Sequence, residues 1–389
     1  MNYKVYLLSV VSFVVGMAEL IVGGILDIVS DGLGVSVSKA GELITIYSLV
    51  FALASPVLLT VTAKVERKKL FLWTLLIFFG GNLLAYFSPN FLILFITRII
   101  SAATGSLLVV LAITISSSIV RGEYRARAIG VIMMGVSGSL VIGVPIGLVI
   151  GQHFGWRSPF LFIAILSLVS MLGIMLFFDK MEPKPVISLR KQLETLKRPK
   201  ILTAQLTSLL FLTGHLTLYA YLTPFLQTAL NLNATWVSIF YFIFGVAAVI
   251  GGGFGGFMAD KWGSEKSILG IISVFCLVLF ILPKVTFSTI LFVIIMMIWS
   301  MLSWAITPAQ QNYLIETTPE TADIQQSLNN TASHLGIAAG SVIGGMVINQ
   351  SSSVLHNASI GGVFVLLALI SAVFSITRSQ TSTKEIHEL

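Results

Sequence analysis

Charge is what this sequence has least of. Only 10% of its 389 residues are Asp, Glu, Lys or Arg, against 56% hydrophobic, whereas a soluble domain carries roughly 25% charged residues. A water-soluble fold is excluded on that ground. Cysteine occurs once, as Cys276, which excludes an intrachain disulfide and a thiolate metal cluster and suggests neither redox chemistry nor zinc. No Gly-x-x-x-x-Gly-Lys-Ser/Thr loop is present to cradle a triphosphate, so ATP does not drive the protein directly. Neither a His-Glu-x-x-His helix nor a Gly-x-Ser-x-Gly elbow occurs, and no polar loop is long enough to house an active site. An enzyme is not expected, nor is a metal or a cofactor.

What the chain has in abundance is apolar stretches of about 20 residues, each long enough to cross roughly 30 Å of hydrocarbon as a helix. They predict spans near 5–26, 41–62, 70–88, 91–119, 128–152, 157–178, 201–226, 235–258, 267–283, 287–315, 324–348 and 358–377. Twelve crossings place both termini on one side. The termini and even-numbered loops hold 19 of the 23 Lys and Arg residues, among them Lys4, Lys64, Arg67, Arg121, Lys261 and Arg378. Only Lys39, Arg157 and Lys284 fall in odd loops. Basic residues collect on the cytoplasmic side of a membrane. The formal net charge of +7 is therefore a topology signal, with both termini cytoplasmic in an inner or plasma membrane, and not a footprint for nucleic acid.

The first span carries Glu19 inside its apolar run and has no small-residue cleavage site, so it reads as a span and not as a signal peptide. Between 179 and 200 the chain turns polar, with Pro183, Pro185, Pro199 and seven basic residues, as expected of a cytoplasmic linker. The expected organisation is a six-helix bundle over 1–178, a linker over 179–200, a second bundle over 201–377 and a tail over 378–389. An offset of 197 residues lays Lys64 on Lys261, Lys69 on Lys266, Gly143 on Gly340 and Gly147 on Gly344. This agreement suggests an internal duplication. Parallel six-helix repeats hold substrate between them near the midplane.

At these residues the sequence resembles the major facilitator superfamily, and within it the twelve-helix drug:proton antiporters. The segment from Thr62 to Leu70 is similar to a degenerate copy of the superfamily's loop motif, with Ala63 and Glu66 in place of the usual Asp and Gly. A fuller second copy runs from Gly256 to Lys266 and includes Asp260, Lys261 and Gly263. Gly143, Pro145 and Gly147 resemble the antiporters' Gly-Pro motif; small residues at this spacing also let any two membrane helices pack closely. More narrowly, Met17 to Leu26, Glu123 to Gly130, Gly214 to Tyr221 and Ser303 to Glu316 look like the purine base and nucleoside efflux pumps of Gram-positive bacteria. Asp27 departs from that pattern, which has proline there. The resemblance implies an all-α fold of two pseudo-symmetric six-helix bundles and proton-coupled export of small organic molecules, purines and nucleosides foremost. Related multidrug and sugar exporters share the scaffold. A monomer working in the lipid bilayer is expected.

Charges inside a span are costly unless paired or hydrated, so each is a functional candidate. Glu19 lies about 14 residues into the first helix and Arg98 about 7 from the far end of the fourth, which places them at similar depth. Glu19 is the expected proton carrier; the resemblance gives Arg98 a part in proton coupling. A permanent Glu19/Arg98 bridge that fixes helix packing is the alternative. His215 and Tyr219, one turn apart, are expected on a substrate face, although a histidine can equally hydrogen-bond across helices. Asn330 and His334 are polar at membrane depth and are expected to face a cavity or another helix. Trp304 and Gln310 offer an aromatic plane and an amide for a flat heterocycle, or plain packing.

Overall fold

The computed structural model describes residues 3–121, 125–183, 193–318, 321–351 and 353–378. Twelve helices in it are long and apolar enough to cross a membrane. In chain order they are α1 (Tyr3–Gly24), α2 (Val37–Val61), α3 (Arg67–Tyr86), α4 (Phe91–Ser116), α5 (Gly130–Phe154), α6 (Ser158–Phe177), α7 (Pro199–Tyr219), α8 (Ala234–Trp262), α9 (Ser264–Lys284), α10 (Thr289–Thr317), α11 (Ile324–Ser351) and α12 (His356–Thr377). No strand occurs among the described residues. Lipid offers no partner for a free N–H or C=O, which is why the apolar runs resolve into helices. Residues 184–192 of the expected linker and 379–389 of the expected tail lie outside the described residues, as do Glu123 and Tyr124.

Polar side chains set several starts. Asn90 accepts from the Ile93 N–H at 3.1 Å and Asn233 from the Trp236 N–H at 3.1 Å, which opens α4 and α8. Gly263 turns the chain between α8 and α9 with φ +82°, a conformation that explains glycine at this motif position.

Two spans end sooner than their apolar runs predict. α1 stops at Gly24 and resumes as a short helix Leu26–Leu33; α7 stops at Tyr219 and resumes as Leu222–Leu230. Pro224 cannot follow the carbonyl of Ala220 within one continuous helix, and Gly23–Gly24 is a weak helical pair. In α5, a π turn over Ser139–Gly143 precedes Pro145. The proline has no N–H for the preceding turn, and the ladder loosens there.

Glycine seams close the two bundles in the same way. On α5, Gly135 and Gly147 lie so close to Ser9 and Ile21 of α1 that a Cβ would collide. On α11, Gly336, Gly340 and Gly344 meet the carbonyls of Leu209, Thr213 and Thr217 on α7. Gly340 and Gly344 are the offset counterparts of Gly143 and Gly147, so the repeat in the sequence is a repeat in packing.

The bundles join each other over the ends remote from the chain termini. Ser341 Oγ donates to the Gly41 carbonyl at 3.0 Å, Asn349 Nδ2 to Ser38 Oγ at 3.0 Å and Gln152 Nε2 to the Ala234 carbonyl at 3.0 Å. The Gly23 and Gly24 carbonyls at the end of α1 accept from Thr223 Oγ1 at 3.1 and 3.0 Å. Gln227 Nε2 donates to Asp27 Oδ2 at 2.6 Å, which gives the carboxylate at position 27 a cross-bundle partner that proline would lack. Towards the termini, the last cross-bundle hydrogen bond among the described residues is Thr331 Oγ1 to the Ala52 carbonyl, 3.3 Å.

At the terminus end, Glu66 caps α3 by accepting from the N–H groups of Lys68 and Lys69, both at 2.9 Å, and also takes the Met181 N–H at 2.7 Å. Lys68 Nζ donates to the carbonyls of Met175 and Phe178 at the end of α6. Burial pushes Glu66 up, but those three backbone N–H groups and Lys68 outweigh it and lower its pKa. The degenerate loop motif thus pins the start of the linker.

Candidate functional site

Glu19 and Arg98 do meet, but not side chain to side chain. Arg98 is 1% exposed; its Nη1 donates to the Ala18 carbonyl at 2.6 Å and its Nη2 to the Glu19 carbonyl at 3.4 Å. The guanidinium lies 4.1 Å over the ring of Tyr47. A planar fork with several donors suits this combination of backbone acceptors and an aromatic face. Gly105 makes room for that tyrosine, since a Cβ there would come 3.0 Å from its hydroxyl.

The Glu19 carboxylate turns instead across the interface between bundles, where Oε1 stands 3.4 Å from His334 Nδ1 on α11. Here the structure departs from the expected Glu19/Arg98 couple: the arginine holds the main chain of α1, and the acid faces the other bundle. His334 is itself stacked on Phe51 at 4.3 Å, and Phe51 on Tyr47 at 6.0 Å. Arg98, Tyr47, Phe51 and His334 therefore form one continuous stack that returns to Arg98 through Glu19. His334 sits where a cross-helix partner was expected, and that partner is Glu19.

His215 and Tyr219 lie together inside the C-terminal bundle, rings 5.3 Å apart and 20° from parallel. Trp299 of α10 approaches His215 at 5.3 Å and Phe244 at 5.0 Å. Trp304 is not in this cluster; it is half-buried and packs against the core elsewhere. Gln310 is a tie between helices, donating to the Ala204 carbonyl at 2.8 Å. Asn330 is exposed, while its neighbour Asn329 is buried and donates to Ser208 Oγ at 2.7 Å. Of the motif residues, Lys64, Asp260 and Lys261 are exposed and Arg67 is buried. Asp260 of the second motif copy makes no hydrogen bond or ion pair among the described residues, and the start of α9 is instead held by Asn312, which donates to Ser264 Oγ at 2.8 Å. Among the described residues no group of three or more His, Cys, Asp or Glu could hold a metal ion.

Tyr47, Phe51 and Trp299 were missed by the sequence reading. A signal existed for the first: a tyrosine hydroxyl at mid-span needs a reason, and the 197-residue offset carries Tyr47 onto Phe244 of the second cluster.

The Major Facilitator Superfamily matches residues 8–341. The chain belongs to that superfamily. Its members are transporters, and this one is a multi-pass membrane protein of twelve spans. It is 34% identical over 388 residues to the uncharacterized MFS-type transporter YbcL of Bacillus subtilis strain 168, covering 100% of this chain and 99% of the relative. It is 28% identical over 384 residues to the inner membrane transport protein YdhP of Escherichia coli strain K12, covering 98% of each. Among solved structures, a bacterial homolog of the human lysosomal transporter Spinster, inward-facing and occupied, superposes with a TM-score of 0.82 at 15% identity over 98% of each chain. That likeness establishes the major facilitator fold: two pseudo-symmetric six-helix bundles.

Proposed function

We propose that this superfamily member is a proton-coupled exporter of small organic molecules, purine bases and nucleosides foremost, working by alternating access. The observation that carries the reading is the position of Glu19: an acid at membrane depth, at the seam between bundles, 3.4 Å from a histidine of the opposite bundle. A charge so placed is costly unless it is used. The basic loops put both termini in the cytoplasm, so the sealed end is the outer one and this conformation faces inward. The working units are the bundles over 1–178 and 201–377, joined by the linker over 179–200.

In that state Glu19 releases its proton to the cytoplasm, and the ionised carboxylate holds His334 and keeps the outer end shut. Substrate loading displaces this contact and lets the bundles rock. Reprotonation from outside then allows return. Arg98 keeps α1 in register through its backbone carbonyls while the acid changes charge. His215 and Tyr219 supply the substrate face, and resemblance to purine and nucleoside exporters supplies the substrate class.

Radiolabelled hypoxanthine in proteoliposomes under an imposed pH gradient tests this. Gradient-driven accumulation is expected in the unaltered protein and none in Glu19→Gln, with hypoxanthine binding retained. Full gradient-driven transport by Glu19→Gln would reject the acid as carrier. Movement of cationic drugs or sugars without hypoxanthine would move the substrate assignment to multidrug or sugar efflux.

A further inference from the structure

The cycle above gives His215 and Tyr219 the substrate face without saying what chemistry they recognise. His215 Nδ1, the Tyr219 hydroxyl and Trp299 Nε1 are each buried without a hydrogen-bond partner. The three side chains are 6%, 6% and 0% exposed, and their rings lie 5.3 to 6.3 Å apart. Buried polar atoms are normally paired; the Arg98 stack has three orphans of its own, Arg98 Nε, the Tyr47 hydroxyl and His334 Nδ1, but those groups already have a part in the cycle. Phe244 walls the cluster, 5.1 Å from Tyr219 and 5.0 Å from Trp299.

The internal repeat sharpens the contrast. The 197-residue offset carries Ala18, whose carbonyl holds Arg98, onto His215, and Tyr47 onto Phe244. At matching places the N-terminal bundle contains a guanidinium and the C-terminal bundle an uncharged aromatic cage. A charged ligand in that cage would be buried without a counter-ion. A flat aromatic one would find ring faces to stack on and polar atoms for its edge.

We propose that His215, Tyr219 and Trp299 form the substrate-recognition pocket, specific for an uncharged planar heteroaromatic ring whose edge carries acceptors for the Trp299 N–H and the Tyr219 O–H. Proton handling at the seam between the bundles is thereby separate from substrate recognition inside the C-terminal bundle. This rests on the exporter reading above and adds the site and its selectivity. Tyr219 is the last residue of α7 before the break, so its ring can turn out of the stack with the chain that follows and admit the ligand.

Equilibrium binding of radiolabelled hypoxanthine to the purified full chain tests the pocket. Tyr219→Phe keeps the ring and deletes only the hydroxyl, whereas Trp299→Phe keeps one six-membered ring and deletes the N–H together with the five-membered ring; each is expected to weaken binding about five- to tenfold. Trp304→Phe, at a half-buried tryptophan outside the cluster, is expected to leave binding within about twofold of the unaltered protein. In the unaltered protein, unsubstituted purine, which lacks the exocyclic oxygen, is expected to bind more weakly than hypoxanthine. Unchanged hypoxanthine binding in both Tyr219→Phe and Trp299→Phe overturns the pocket while leaving the exporter reading intact. Equal affinity for purine and hypoxanthine also counts against the two donors. Binding of arabinose or tetraphenylphosphonium in place of hypoxanthine sinks both the pocket and the substrate class it rests on.

Discussion

Glu19 Oε1 and His334 Nδ1 stand 3.4 Å apart on helices of opposite bundles. Their separation is a property of the conformation, because any motion that parts α1 from α11 also parts this pair. Replacing His334 with Gln retains a polar partner for the carboxylate but one that cannot take a proton. The expected outcome is a loss of uphill hypoxanthine transport of at least about tenfold, with downhill exchange kept. Counterflow and gradient-driven uptake measured on the same vesicles check it.

Closure of the end remote from the termini can be trapped directly. Ser38 and Asn349 are in contact across the bundles, and the single native thiol, Cys276, is buried. A Ser38→Cys/Asn349→Cys double variant in a Cys276→Ser background is expected to cross-link under mild oxidation and to stop transport. Reduction should restore it.

The α7–α11 seam predicts a sharp difference between glycines. Gly340→Val places side-chain atoms against the Thr213 carbonyl, whereas Gly252 has nothing within 4 Å of its would-be Cβ. The first is expected to cost about 1–3 kcal/mol and lower the melting temperature; Gly252→Val should be close to neutral. Thermal unfolding in detergent distinguishes them.

Acid should loosen the start of the linker. The Glu66 pKa is lowered in the fold, so its contribution is present at neutral pH and is lost as pH falls through that lowered value. Asp179, held down by its hydrogen bond to Lys4, is lost in the same direction. A lower protection factor at Met181 on acidification, after correction for the intrinsic pH dependence of amide exchange, is the expected readout, and Glu66→Gln should abolish its pH dependence while leaving that of the Lys4–Asp179 contact.

Much of this architecture was legible because the bilayer leaves so few choices: apolar length gave the twelve spans and placed most of their ends within a few residues. The breaks in α1 and α7 were not legible. Gly23–Gly24 and Pro224 weaken a helix locally, but whether it breaks depends on donors such as Thr223 that cap the freed carbonyls from the other bundle. Glu19, Arg98 and His334 stood out as polar groups at membrane depth. Their pairing did not, because the acceptors of Arg98 are backbone carbonyls, which every residue has. Trp299 was passed over for Trp304. Five residues apart, they point about 140° away from one another, and only the packing of α8 against α10 decides which one faces inward. Asn329 and Asn330 part company for the same reason.

The glycine contacts between α7 and α11 carry a mechanical consequence. With backbones touching over three successive turns, neither helix can slide or roll without taking the other along. His334 rides on one and Tyr219 on the other, so the pair works as a rigid lever with the acid's partner at one point and the aromatic cage at another. Whatever tugs on either point is felt at both, and the proposed exchange of a proton for a solute needs no messenger beyond that stiffness.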